Sequence, residues 1–171
     1  LTKTSISSVG NGNAGISLSA IPVEGSHFVD LSVGIEKASA VASRPYDVLD
    51  SFEAREEAVG NPLSFLHVVK PEIDLPPEAD PYADDVYAKG RDNFRGLVDE
   101  GVLFQDDEPA FYLYRLTMNG SSQTGVVGCC VVDEYYDGRI KKHELTRPVK
   151  EDDRARHVQT LNANAEPVFF S

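Results

Sequence analysis

Two β-rich runs meeting at Asn119-Gly120 constrain the fold more than any other feature of the chain. Residues 111–118 are aromatic and apolar, and residues 124–132 are rich in Val, Gly and Cys. Asn-Gly tolerates the positive φ of a tight reversal, so the runs are predicted to pair as an antiparallel hairpin. The loop is expected to run on through Ser121-Ser122-Gln123. A helix predicted over residues 81–100 precedes the hairpin. Tyr82, Val86, Phe94, Leu97 and Val98 recur there at helical spacing, and Gly101 stands where a C-terminal glycine ends a helix. Sheet pairing after a long amphipathic helix implies an α+β domain: a mixed, largely antiparallel sheet with two to three packing helices.

The remaining elements follow from local signals. Asp50-Ser51-Phe52-Glu53 opens a short helix that Ser51 can cap, stopped by Gly60-Asn61-Pro62. Residues 64–69 form an apolar run with little polar relief and are predicted to be a central strand. Pro71, Pro76, Pro77 and Pro81 exclude regular structure until about Tyr82. Tyr136-Asp137-Gly138 is a turn, and residues 139–143 leave it extended. Pro148 begins a last helix that ends before Asn162, and residues 168–170 start another strand. Residues 1–43 are expected to be a poorly specified leader, with residues 1–20 disordered or loosely attached, and residues 44–171 an N-terminal α+β domain truncated at its C-terminal end.

Sixteen basic against 28 acidic residues give a net charge of −12. That field disfavours general binding to nucleic acid or to anionic membrane. No apolar run approaches the length of a membrane span. The absence of a targeting signal and the low cysteine count point to the cytoplasm. Cys129 and Cys130 are adjacent, and strand neighbours point to opposite faces, so they are expected to be two strand thiols with at least one buried. A redox pair or metal site is the other reading.

One stretch runs against the global charge. Residues 139–157 hold seven of the sixteen basic residues and only four acids. A cationic patch inside an acidic protein can concentrate a small anion. Within it, His143 and Glu144 are candidates for acid/base or metal-orienting work, and Lys142 and Arg147 for holding a phosphate. The same residues also fit a surface strand with solvated charges. Pro45 holds Arg44 extended, and Tyr46 and Asp47 in the strand end or turn that follows are candidates for the rim of a pocket, Asp47 with a catalytic role, or for a rigid turn with a buried tyrosine. Arg154, Asn164 and Arg115 complete the candidate ligand-binding set. His67 fits a hydrogen-bonded core residue or, less simply, a catalyst. No phosphate loop, dinucleotide fingerprint or nucleophile elbow is present.

The blocks RPYDVLDS, EAREEAVGNPLSFLHVVKPEIDLP, DPYADDVYAKGRDNF, QTGVVGCCVVDEYYDGRIKKHELTR, KEDDRARHV and NANAEPVF occur in this order. They resemble the domain-of-unknown-function 1015 family of bacteria and archaea, from Arg44 to Phe169. Ile21-Pro22 is similar to a remnant of the family's Pro-Phe opening. The resemblance implies a protein more than twice this long. Its later half would carry an Asp-Gly-His-His-Arg motif similar to ParB/sulfiredoxin-like folds, a group that includes nucleotide-using enzymes and free-serine kinases. It therefore implies the N-terminal part of a phosphometabolite- or nucleotide-handling enzyme, such as a kinase acting on serine-like small molecules; the alternative is a non-catalytic ligand-sensing or assembly module. The implied ligands are a small anionic metabolite and ATP or ADP with Mg²⁺. Homo-oligomers are compatible with it.

Overall fold

The computed structural model of the chain describes residues 5–9, 14–22, 31–34, 36–107, 110–141 and 145–165. In chain order the strands and helices are β1 (Ser5–Val9), β2 (Ala14–Pro22), β3 (Leu31–Val33), α1 (Ala38–Val41), α2 (Ser51–Ala58), α3 (Leu66–Val69), α4 (Asp84–Asp99), β4 (Leu103–Gln105), β5 (Ala110–Met118), β6 (Ser121–Val127), α5 (Val132–Tyr136) and α6 (Pro148–Leu161). Two 3₁₀ turns, Tyr46–Val48 and Pro71–Asp74, flank α2 and α3. One sheet runs β1-β2-β5-β6 and a second pairs β3 with β4. Every pairing among the described residues is antiparallel, so the fold is α+β. No helix among the described residues is long and apolar enough to cross a membrane.

The hairpin forms as its sequence predicts, with a tighter loop. Asn119 and Gly120 both have positive φ, 52° and 79°, and Met118 pairs directly with Ser121. The strand therefore starts at Ser121 rather than after Gln123, and it ends at Val127. Cys129 and Cys130 fall beyond it and both are exposed, which corrects the expectation of strand thiols with one buried. Val132 opens α5 instead of closing a strand. Residues 1–20, expected to be loose, contain β1 and most of β2, and β2 pairs with β5 from Ala14↔Met118 to Pro22↔Ala110. The signal was present: Ile16, Leu18 and Ala20 alternate with Ser17 and Ser19, the period of a strand. The Ser- and Gly-rich composition obscured it.

The largest departure is at residues 64–69. The predicted central strand is instead a turn of helix, α3, whose Leu66, Val68 and Val69 are buried. A six-residue apolar run cannot be assigned by period alone. Here the Ser64 hydroxyl accepts from the Leu66 N–H, which favours a helical turn at the start of the run. So short a helix leaves its carbonyls without helical partners. Other elements supply them: Asn93 Nδ2 donates to the His67 carbonyl at 2.7 Å, and the His157 ring bonds the Val68 carbonyl at 3.0 Å. Leu66 packs with Leu49, Ala54, Ala58, Val69 and Ile73, while Val68 packs with Val41, Leu97, Val102, Leu103 and Leu161. Phe65, just before α3, touches both clusters, so this segment joins the two halves of the core.

Asp50, not Ser51, caps α2: its carboxylate accepts from the Glu53 N–H, and Glu53 accepts from the Asp50 N–H. This reciprocal box frees the Ser51 hydroxyl to bond Glu72 at 2.8 Å. α4 starts at Asp84, three residues later than its spacing implied, so Tyr82 precedes it and is exposed; the helix buries Val86, Tyr87, Gly90 and Leu97 and leaves Val98 exposed. Gly101 ends it with φ of 65°, as expected. Gly90 is a point of close approach, since a Cβ there would lie 3.0 Å from both the Val68 carbonyl oxygen and the Pro71 ring. Gly90→Val is expected to destabilise the fold by about 1–3 kcal/mol, because overpacking outweighs any gain in helix propensity. A lowered urea midpoint would show it, and an unchanged midpoint would mean that α3 and α4 separate freely.

Candidate functional site

α6 is the element that builds the site. Pro148 at its first turn and Asn162 in the left-handed conformation at its end set its limits as the sequence predicts. Lys150, Asp153, Arg154 and His157 follow the spacing of one helix face. All four line an open cleft of about 250 Å³, whose opposite wall includes Tyr46, Asp50, Ser51, Lys70, Glu72, Tyr82 and Tyr87.

The charges in the cleft are organised around two buried carboxylates. Asp153 accepts from the Tyr87 hydroxyl at 2.6 Å through one oxygen, and from Arg154 at 3.0 Å and 3.2 Å through the other. Burial, and then the bond to Asp153, push the Tyr87 phenol well above its ordinary range, so it stays a donor. Glu72 accepts from Ser51 at 2.8 Å and from Lys70 at 3.0 Å. Arg55 holds the backbone beside it, with one terminal nitrogen donating to the Glu72 and Leu75 carbonyls at 2.9 Å.

Cations lie over the tyrosine rings. The Arg154 guanidinium is 4.1 Å from the Tyr46 ring centre, and that of Arg156 is 4.3 Å from the Tyr87 ring centre. Such contacts hold a guanidinium in place over the ring. Lys150 Nζ sits 3.4 Å from the Tyr82 hydroxyl at the exposed mouth. Arg156 also donates to the Tyr82 carbonyl at 3.0 Å and pairs with Asp84, tying α6 to the segment before α4. Lys150 and Arg154 are four residues apart on α6 and both line the cleft, so an ammonium and a guanidinium border one space. That pairing suits a phosphate or carboxylate. Among the described residues, no group of three or more His, Cys, Asp or Glu side chains is placed to hold a metal ion.

His157 closes the base of the cleft and is almost fully buried. Desolvation holds its imidazole below the ordinary histidine range against the bond to Val68, with Arg154 lowering it further and Asp153 opposing. The neutral form is therefore the folded form. Its contribution to stability is complete above the unfolded value of about 6.5 and is lost as pH falls below that toward the depressed folded value. Denaturation midpoints are expected to drop between pH 7.5 and pH 5.5 more steeply in the wild type than in His157→Gln. Equal slopes would contradict this.

The sequence-derived candidates are distributed unevenly. Tyr46 and Arg154 come together in the cleft. Asp47 shares the turn with Tyr46 but is exposed and does not line the cleft. Arg147 is the exposed N-cap of α6, Asn164 is exposed just beyond its end, and Arg115 lies on β5 with its Nε 3.1 Å from Thr124. Residues 139–141 form no strand, and Lys142, His143 and Glu144 lie outside the described residues. His67 bonds Asp74 at 2.7 Å and the Asn61 carbonyl at 3.1 Å, consistent with a structural role. Sequence reasoning missed Lys150, Asp153 and His157 as site residues, although their spacing with Arg154 marks one helix face. Tyr82, Tyr87, Lys70 and Glu72 join them through tertiary packing and carried no local signal.

The model of one protein family, described as a protein of unknown function (DUF1015), matches residues 22–171. The match starts at residue 22 and not at Arg44, so it includes the segment between them. No curated protein and no solved structure matches the chain. With a family match across most of its length, the chain belongs to the DUF1015 family of proteins of unknown function.

Proposed function

We propose that the cleft binds a small phosphorylated or carboxylated metabolite, and that the chain is part of a phosphometabolite- or nucleotide-handling enzyme acting on serine-like molecules. The observation that carries this reading is the pair Lys150 and Arg154, one turn apart on α6 and opening on a cleft walled by tyrosines. Phosphoryl transfer depends mainly on positioning and charge neutralisation, which these two cations can supply. Asp50 and Glu72, on the opposite wall, suit the ammonium or hydroxyl groups of the same ligand.

A non-catalytic sensing module is the second reading. It is favoured by one observation: Asp47, the one candidate for a catalytic role within the described residues, does not line the cleft. Both readings require anion binding, and they differ in turnover. Thermal-shift titration with phosphoserine, serine, ADP and ATP, each with and without Mg²⁺, tests the shared part. A ligand at a hundred times its dissociation constant stabilises by about 2.7 kcal/mol. Stabilisation by phosphoserine or a nucleotide supports the cleft reading, and none with any of them refutes it. Conversion of serine to phosphoserine in the same mixtures would select the enzyme, and binding without conversion the module.

A further inference from the structure

The cleft carries as many carboxylates as cations. Lys70, Lys150 and Arg154 line it together with Asp50, Glu72 and Asp153, so its formal charges cancel while His157 is neutral. Two of the pairs are closed internally: Arg154 bonds Asp153 at 3.0 Å, and Lys70 lies 3.0 Å from Glu72. Lys150 and Asp50 remain, one charge of each sign, and neither makes an ion pair with another described residue. Glu72 adds a second observation. It is 8% exposed, and Ser51 and Lys70 both contact its Oε1, which leaves Oε2 with no partner among the described residues. A buried carboxylate oxygen ordinarily has a donor, and Glu72 lines the cleft, where a bound ligand can bring one.

Asp50 precedes Ser51 in the chain, and the Ser51 hydroxyl donates to Glu72 at 2.8 Å, so the two carboxylates belong to one part of the wall. Lys150 and Arg154 come from α6, another part. We propose that the ligand is a zwitterion, its anionic group held by Lys150 and Arg154 and its ammonium group received by Asp50 and Glu72. The assignment rests on the anion-binding reading of the cleft given above and narrows it. An ammonium brings three donors and a charge opposite to that of Asp50, whereas a hydroxyl brings one donor and no charge. A nucleoside diphosphate or triphosphate brings several negative charges beside three carboxylates, with no surplus of cations to offset them, so the same walls disfavour it.

Calorimetric titration with L-phosphoserine and L-3-phosphoglycerate tests this, because the two share one skeleton and differ in an ammonium against a hydroxyl at the second carbon. Phosphoserine is expected to bind about tenfold or more tightly than 3-phosphoglycerate, and more tightly than ADP. Asp50→Asn keeps the cap of α2, since asparagine caps a helix as well as aspartate does, and Glu72→Gln keeps an oxygen for Ser51. Each is expected to weaken phosphoserine about threefold or more without weakening 3-phosphoglycerate. If one variant fails to fold, the other decides, and if both fail, the preference of the wild type decides. Equal binding of the two phosphates, tighter binding of ADP, or a preference that survives both variants overturns the inference and leaves the anion-binding reading standing. No binding of any of the three by the wild type overturns both.

Discussion

Leu66→Ala is expected to destabilise the protein by about 2–5 kcal/mol, a large share of the roughly 5–15 kcal/mol that a domain typically has. Leu66 is fully buried, and its side chain fills the cluster of Leu49, Ala54, Ala58, Val69 and Ile73. Truncation leaves a cavity that these residues cannot collapse into, because α3 is held at its carbonyls by Asn93 and His157. Urea denaturation should show a lower midpoint at unchanged slope. Phe52→Ala is the contrast: Phe52 is 68% exposed on neighbouring α2, and its loss should change stability by about 0.5 kcal/mol or less. Equal effects of the two substitutions would mean that α3 is not the centre of the core.

The second large effect concerns binding. The double variant Lys150→Ala/Arg154→Ala is expected to weaken a phosphorylated ligand by about 10²–10⁴-fold, since each charged hydrogen bond contributes about 1.5–3 kcal/mol. Arg154 also bonds Asp153, so the double variant should lose some stability as well. Lys150→Ala alone avoids that complication, because Lys150 is exposed and bonds only the Tyr82 hydroxyl among its described contacts. It should lower affinity by about 10-fold or more with little change in melting temperature. Calorimetric titration with phosphoserine or ADP separates the two effects. Wild-type affinity in the double variant would place the anion elsewhere.

The parts of the fold that the sequence revealed are those written locally. The hairpin rests on Asn119-Gly120 and the β-rich residues around it. α4 rests on periodicity and on Gly101 at its end, and α6 on Pro148 at its start and Asn162 at its end. α3 was hidden because its identity depends on partners far along the chain: Asn93 and His157 supply the hydrogen bonds that let one helical turn stand alone. β2 was written in alternating Ile16, Leu18 and Ala20 but masked by serine and glycine. The cleft was half legible. Charge bias located the basic segment around α6, and Arg154 and Tyr46 were both identified. His143 and Glu144 lie outside the described residues, and the described part of the cleft is assembled from the helix face 150, 153, 154, 157 and from tyrosines that only packing brings to it.

The most direct test of the account is to map the bound ligand residue by residue. Amide chemical shifts of the ¹⁵N-labelled chain would be followed during titration with phosphoserine and, separately, with ADP. The account predicts saturable changes concentrated at Tyr46, Ser51, Lys70, Tyr82, Tyr87 and residues 150–157, abolished in Lys150→Ala/Arg154→Ala. Saturable changes confined to other residues, or no changes with either ligand, would contradict it.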